Sequence, residues 1–236
     1  MKRKSTVADW REVRRWTGVW PLTRGSDWVF FGPSQFFMVV WPSAVSAFAD
    51  RRCAAAHPGF NVAPPLQVID LNTQEIYKKG GRKFAIPNLV PLGCLPFARA
   101  LNPDTGACFQ EITALAKLHN EALSKVLQKL ESQLHGFKYS IADSYSSLSE
   151  SINNPSKYGF NESKIACCGT GPYRGIFSCG GKRSVKEYEL CENVSEYVFF
   201  DSIHPTEKVN QQFAELMWSG TPNITGPYNL KALFEN

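Results

Sequence analysis

The stretch RKFAIPNLVPLG, residues 82–93, decides the fold. Its centre is a short apolar run without polar alternation, and it ends in a loop of proline and glycine. Strands that are apolar on both faces are typical of parallel sheets with helices packed on each side. The stretch therefore predicts a buried strand at residues 83–90 in an α/β domain.

The flanking segments support this interpretation. Upstream, LQVIDLNTQEIYKKGG (residues 66–81) places Val68, Leu71 and Ile76 near helical spacing, and a Gly-Gly pair predicts the helix end. Downstream, residues 108–134 predict the strongest amphipathic helix of the chain, closed by Gly136. The apolar face of that helix comprises Ile112, Leu115, Ala116, Leu123, Val126, Leu127, Leu130 and Leu134.

A second strand and a final helix complete the pattern. FKYSIADSYSSL, from residue 137, predicts a strand tipped by Asp143 and Ser144. Near the C-terminus, YVFF predicts a short strand, and HPTEKVNQQFAELMWSG predicts a terminal helix with Pro205 in its first turn and Gly220 at its end. Helices that alternate with strands indicate a parallel sheet covered by helices.

Composition bounds the classes of function. With 236 residues, 43% of them hydrophobic, the chain can bury one core and forms one or at most two domains. The net charge of +5 lies in residues 1–66, with nine Lys/Arg against four Asp/Glu, because residues 67–236 hold seventeen of each. Since nucleic-acid binding needs a basic face on a folded platform, we expect no nucleic-acid partner. Nucleic-acid binding stays an alternative only for the N-terminal segment, which carries the clustered tryptophans Trp10, Trp16, Trp20, Trp28 and Trp41.

Cysteines and glycosylation sequons favour an oxidising compartment. Six of the seven cysteines follow residue 90, and Asn161, Asn193 and Asn223 each begin an Asn-x-Ser/Thr triplet. Cys94 and Cys108 form a plausible local pair, whereas three pairings remain open for Cys167, Cys168, Cys179 and Cys191, and Cys53 is left free. No CxxC pair supports a zinc site. Residues 1–27 are charged and Trp-rich without an early apolar run, so they predict no ordinary signal peptide. Residues 28–49 carry no charge but contain Gly and Pro, so they predict no stable membrane span.

Asp201 and His204, in FFDSIHPTEK, have the spacing of a catalytic pair. A serine nucleophile needs an imidazole to accept its proton and a carboxylate to hold that imidazole in one tautomer. Residues three apart on a turn between a strand and a helix can supply both groups locally. The alternative is that Asp201 caps the next helix and His204 is a surface residue.

Three long motifs, RKFAIPNLVPLGCLP, ACCGTGPY and YVFFDSIHPTEKVNQQFAELMWSG, resemble the C-terminal half of plant GDSL-type esterases/lipases, a branch of the SGNH hydrolases. The resemblance covers residues 66–236 and leaves residues 1–65 as a basic, Trp-rich segment of unknown fold. It implies a three-layer α/β/α sheet, incomplete at its N-terminal half, with His204 as general base and Asp201 as its orienting partner. It also implies a secreted, glycosylated hydrolase of lipid or acylated-metabolite esters without metal or cofactor.

The nucleophile of that family is missing here. The sequence contains no Gly-Asp-Ser-Leu block and no Gly-x-Asn-Asp block, and neither Ser26 nor Asn61 stands in such a context. We therefore expect this chain to be inactive alone, and interpret residues 1–65 as unrelated sequence in place of the family's N-terminal half. A half sheet would expose the apolar strand at residues 83–90 unless residues 1–65 cover it.

Two readings of function follow. The first is a serine ester hydrolase that has lost its nucleophile, and the alternative is a non-catalytic secreted binding protein on a hydrolase scaffold. Phe97, Leu101 and Phe177 could line an acyl pocket or pack in the core. The particular ester and the oligomeric state have no signature in this sequence.

Overall fold

The computed structural model describes residues 18–19, 28–31, 36–39 and 63–235. The strands are β1 (Gly18–Val19), β2 (Trp28–Phe31), β3 (Phe36–Val39), β4 (Lys83–Pro87), β5 (Lys138–Ala142), β6 (Cys168–Gly169), β7 (Glu189–Leu190) and β8 (Thr225–Pro227). The helices are α1 (Ala63–Lys78), α2 (Pro96–Ala100), α3 (Gln110–Gln133), α4 (Ser144–Asn153), α5 (Glu207–Ser219) and α6 (Leu230–Glu235). Helices with a mixed sheet confirm the predicted α/β class.

The main sheet is parallel at its centre and antiparallel at both sides. Its strand order is β1-β2-β3-β4-β5-β8. The strands β3, β4 and β5 run parallel, whereas β1, β2 and β8 each join antiparallel to a neighbour. A separate two-stranded sheet is formed by β6 and β7. The parallel centre agrees with the helix-strand pattern of the sequence.

Strand β4 lies at the centre of the core, as its sequence predicts, but it ends at Pro87, before the predicted end at residue 90. All five of its residues are buried, and it pairs on one side with β5 and on the other with β3. The side chains of Phe84 and Ile86 join a cluster that α1 and α3 cover with Ile69, Leu123 and Leu127. Because residues 36–39 provide the neighbouring strand, this edge of β4 is paired rather than exposed.

The two long helices form where predicted, but their buried faces differ in part from the prediction. On α3, Ala116, Leu123, Leu127 and Leu130 are buried as expected, together with His119. On α1, the prediction for Leu71 is wrong, because its side chain is 61% exposed while Ile69 and Thr73 are buried. α1 instead buries the neighbouring face, which contains Ile69 and Thr73, because Ile69 packs against the cluster around β4.

Side chains that follow β4 and β5 connect the carboxyl ends of these strands. The carboxylate of Asp143 accepts a hydrogen bond from the Ser146 N–H at 3.0 Å and thereby caps α4. The Asn88 side-chain NH₂ donates to the same carboxylate at 2.9 Å, and the side-chain oxygen of Asn88 accepts from the Tyr145 N–H at 2.9 Å. This end of the sheet, where α/β proteins place their ligands, is thus cross-linked by polar side chains.

The C-terminal region departs from the prediction in three respects. YVFF is not a strand of either sheet: Tyr197 and Phe199 each form one isolated bridge, with Glu162 and Pro205 respectively. Pro205 precedes Thr206, the N-cap of α5, and so lies outside the first helical turn. The helix α5 is not terminal, because β8 returns to the sheet beside β5 and α6 follows it.

Three disulfides hold the loops in the described part of the chain. The predicted bond between Cys94 and Cys108 is confirmed, with sulfurs 2.04 Å apart. The remaining pairings, which the sequence left open, are Cys167–Cys191 and Cys168–Cys179. The expectations for Cys53, Ser26, Asn61, Trp10, Trp16, Trp20 and Trp41 concern positions outside the described residues. No helix of the described ranges is long and apolar enough to cross a bilayer.

Candidate active site

Asp201 and His204 occupy a tight turn whose two ends are joined by backbone hydrogen bonds. The Phe200 N–H donates to the His204 carbonyl at 2.8 Å, and the Thr206 N–H donates to the Val198 carbonyl at 2.9 Å. Val198 is completely buried, and Thr206 is 1% exposed. Buried residues on both sides of the turn therefore anchor it in the core, while the His204 side chain faces outward.

The Asp201 carboxylate is fixed by the backbone of its own turn. Its Oδ1 atom accepts hydrogen bonds from the N–H groups of Ile203 at 2.9 Å and of His204 at 2.8 Å. Aspartate commonly bonds the backbone two or three residues ahead in this way, and the same geometry would cap a helix. Here, however, the cap position of α5 belongs to Thr206. The interpretation of Asp201 as the helix cap is therefore wrong.

The two side chains meet directly. The Nδ1 atom of His204 lies 2.9 Å from both carboxylate oxygens of Asp201. An ionised carboxylate only accepts hydrogen bonds, so Nδ1 carries a hydrogen and Nε2 keeps the lone pair when the ring is neutral. The His204 side chain is 66% exposed, against 21% for Asp201. The histidine ring is thus accessible, and the carboxylate beside it is largely covered.

The contact between the two side chains shifts the pKa of each. The hydrogen bond to Asp201 raises the pKa of His204, against opposing effects of desolvation and of the Arg183 charge. Burial alone would raise the pKa of Asp201, but the hydrogen bonds from the His204 ring and from two backbone N–H groups hold it below its ordinary value. Asp201 is therefore a carboxylate at neutral pH, as an orienting group requires.

The turn rests on the loop closed by the Cys94–Cys108 disulfide. The Phe97 N–H donates to the Ser202 carbonyl at 3.0 Å, and Ser202 is buried. Inside this loop, Arg99 is 3% exposed, and its guanidinium donates to the carbonyls of Cys94, at 3.0 Å, and Gly106. Burial lowers the pKa of Arg99. Sequence reasoning missed these contacts, because each of them has a backbone carbonyl as acceptor, and the approach of a carbonyl has no residue signature.

Two of the three candidate pocket residues come together. The rings of Phe97 and Phe177 lie with their centroids 5.8 Å apart. Leu101 follows α2 and is 47% exposed. Phe97 also packs against the buried cluster around Leu92 and Leu95. Phe97 thus lies in the loop that contacts the turn of Asp201 and His204, and Phe177, from a separate segment, packs against it.

The described residues offer little for a metal ion. No group of three or more His, Cys, Asp or Glu side chains converges within them. The six cysteines of this part of the chain are all in disulfides. Independently of any metal, the arrangement of Asp201 and His204 leaves the lone pair of Nε2 available to accept a proton.

Comparison with known proteins identifies close relatives. Residues 55–217 match the family model described as GDSL-like Lipase/Acylhydrolase. The chain is 55% identical to GDSL esterase/lipase 1 of Arabidopsis thaliana over 164 residues. These residues cover 69% of this chain and 44% of that protein. It is 49% identical over 160 residues to a GDSL lipase of Tanacetum cinerariifolium, covering 68% of this chain and 43% of the relative.

A more distant relative carries a different name. The Inactive GDSL esterase/lipase-like protein 25 of Arabidopsis thaliana is 36% identical over 168 residues, which cover 71% of this chain and 39% of that protein. The chain thus spans less than half the length of these curated relatives. The family match covers more than half of the chain and includes the turn described above. The chain belongs to the GDSL-like lipase/acylhydrolase family.

Proposed function

We propose that this chain carries the general-base part of a serine ester hydrolase site, with His204 as base and Asp201 as its orienting partner. The observation that supports this most is the 2.9 Å contact between Nδ1 of His204 and the Asp201 carboxylate, on a turn that leaves the ring exposed. Family membership supports ester hydrolysis as the reaction. Lipid or acylated-metabolite esters are the proposed substrates.

In the proposed reaction, Nε2 of His204 accepts the proton of a serine hydroxyl as its oxygen bonds to the ester carbonyl carbon. The imidazolium that forms is stabilised by the adjacent Asp201 carboxylate, which stays ionised. The ring then gives the proton to the departing alkoxide, so the leaving group departs as an alcohol. Water repeats the sequence on the acyl-enzyme and releases the acid. The raised pKa of His204 favours the protonated intermediate state of the ring.

We further propose that these 236 residues hydrolyse no ester by themselves. They contain no Gly-Asp-Ser-Leu block for the nucleophile and no Gly-x-Asn-Asp block for the oxyanion hole. Loss of a serine nucleophile costs on the order of a million-fold in turnover, and loss of one oxyanion donor costs about 3 kcal/mol. In this proposal, the hydrolase part spans residues 66–236 and a complete site needs a serine that this part does not supply.

The second candidate function is a non-catalytic binding protein on the same scaffold. The missing nucleophile block favours it. A fluorophosphonate probe, which reacts with activated serines, separates the possibilities when labelling is mapped by mass spectrometry beside a His204→Ala control. We expect no labelled serine in the folded chain. One serine that is labelled in the wild type and spared in the control would overturn the proposal that the chain is inactive alone.

We also propose secretion and N-glycosylation. Three disulfides suit an oxidising compartment, and the asparagines of all three sequons, Asn161, Asn193 and Asn223, are exposed. Expression in a plant secretory system should give a chain that loses mass on treatment with an N-glycosidase. An unchanged mass would contradict the glycosylation proposal.

A further inference from the structure

The loop of residues 180–190, here the basic loop, is held firmly although it is almost entirely exposed. Cys179 before it is bonded to Cys168, and Cys191 after it is bonded to Cys167. The two ends are therefore fastened to adjacent residues of the core, where Cys167 and Cys168 are buried. A loop closed in this way loses little conformational entropy when it binds a partner.

The basic loop and its neighbours expose large apolar side chains. In the loop, Val185 is 38% exposed, Tyr188 47% and Leu190 60%. Next to it, Ile176 and Phe200 are exposed by 39% and 36%. Single exposed apolar residues are ordinary, but several on connected backbone segments are typical of an interaction surface.

These segments are connected by hydrogen bonds that lead to the candidate base. Leu190 pairs with Cys168, the Cys168 N–H donates to the Phe200 carbonyl at 2.7 Å, and the Phe200 N–H donates to the His204 carbonyl at 2.8 Å. Three such steps between neighbouring backbones place the loop backbone within roughly 15 Å of the His204 backbone. The loop and the candidate site therefore belong to the same region of the surface.

The charge of the basic loop is positive. It contains Lys182, Arg183 and Lys186, all exposed, and the ion pairs found among the described residues include none of them. Of its two acidic residues, Glu189 is bound to Arg174 at 2.6 Å, which leaves Glu187. Three cations among exposed apolar side chains are the combination that binds the headgroup region of an anionic bilayer.

We propose that the basic loop docks the protein on an anionic lipid surface, with Lys182, Arg183 and Lys186 at the headgroups and Val185, Tyr188 and Leu190 in the interface. Docking through this loop brings the turn of Asp201 and His204 to the membrane surface. The binding does not require hydrolysis, so its failure would leave the proposed function untouched.

Co-sedimentation of the full chain with lipid vesicles tests this docking. Vesicles of phosphatidylcholine with about 30% phosphatidylglycerol supply the anionic surface, and vesicles of phosphatidylcholine alone supply the neutral one. We expect binding to the anionic vesicles that weakens as salt shortens the Debye length from about 10 Å at 0.1 M to about 3 Å at 1 M. Binding to neither vesicle, or equal binding to both, would overturn the proposal.

Variants locate the binding surface. The triple change K182Q/R183Q/K186Q should weaken anionic-vesicle binding by at least about tenfold, since each cation near such a surface contributes severalfold. Changing Tyr188→Ser together with Leu190→Ser should weaken it further at high salt, where only apolar insertion remains.

The matched control removes three exposed lysines elsewhere: Lys125→Gln, Lys129→Gln and Lys231→Gln. It should lower affinity by less than the loop variant, although the net charge changes equally. Because the loop residues are exposed and disulfide-held, the variants should keep the circular dichroism of the wild type. A folded loop variant that binds as the wild type does would show that the basic N-terminal segment or another surface carries the binding.

Discussion

Replacing Asn120, a half-buried residue of α3, by leucine should destabilise the protein strongly. The Asn120 side chain lies between helix and loop, where its oxygen accepts from the Leu89 N–H and its amide donates to the Leu89 carbonyl, both at 2.8 Å. Leu89 is 3% exposed and lies in the loop that leads from β4 to Phe97. Asn120 thus stands in for the backbone partner that this residue lacks.

The magnitude follows from the two groups left unpaired. Leucine matches asparagine in size but neither donates nor accepts, so a buried N–H and a buried carbonyl both lose their partners. An unsatisfied buried polar group costs about 1–3 kcal/mol. We therefore expect Asn120→Leu to lower the free energy of unfolding by about 2–4 kcal/mol, allowing for relaxation of the loop and some gain from apolar burial.

Urea denaturation followed by circular dichroism, at fixed disulfide state, measures this loss. The matched control is Gln128→Leu, an exposed position of the same helix, which should change stability by less than about 0.5 kcal/mol. An Asn120→Leu loss no larger than that of the control, at an unchanged urea slope, would refute the assignment of Asn120 as the loop's hydrogen-bond partner.

Three further predictions concern the core, the disulfide and the site. Leu123→Ala removes a fully buried side chain and should cost about 2–5 kcal/mol in thermal or urea unfolding, whereas Leu118→Ala on the same helix, 52% exposed, should cost almost nothing. Changing Cys94 and Cys108 to serine opens a loop of about 15 residues and should lower the free energy of unfolding by about 3 kcal/mol. Two free thiols at these positions, found by mass mapping of the unreduced wild type, would disprove the bond. Because its aspartate partner raises the pKa of His204, the pair stabilises the fold below the ordinary histidine value of ~6.5 and loses this contribution as pH rises through the raised value. The free energies of unfolding of the wild type and of His204→Ala, measured below and above this pKa, should therefore differ most at acid pH. A difference that grows toward alkaline pH would contradict the raised pKa of His204.

The sequence predicted the elements whose residues repeat strongly. β4 is recognisable from its short apolar run, and the structure buries all five of its residues. α3 is recognisable because its apolar residues recur over six turns. The Asp201–His204 pair was also predictable, since a turn of four residues brings the two side chains together without help from distant segments. Local rules suffice where local contacts decide the structure.

The remaining features depend on contacts between distant segments. Leu71 and Ile69 are equally apolar, and only the position of the β4 cluster decides that Ile69 is buried. The strand β8 has three residues, too few for a periodic pattern, and exists because it pairs with β5. The pairing of Cys167 with Cys191, rather than with Cys179, follows from where β7 meets β6. Tertiary context sets each of these choices.

Restoring a nucleophile would show whether His204, held by Asp201, acts as a general base. Residues 66–236 would be fused to the N-terminal half of the Arabidopsis thaliana relative GDSL esterase/lipase 1, and hydrolysis of a p-nitrophenyl ester would be measured. The control is His135→Ala, which removes another exposed histidine that lies after α3.

We expect the folded chimera to hydrolyse the ester, His204→Ala to lower turnover by at least about a thousandfold, and His135→Ala to leave turnover unchanged. Since the histidine ring must be neutral to accept a proton, turnover should rise as pH passes the raised pKa of His204. A folded, active chimera whose turnover survives His204→Ala would contradict the account.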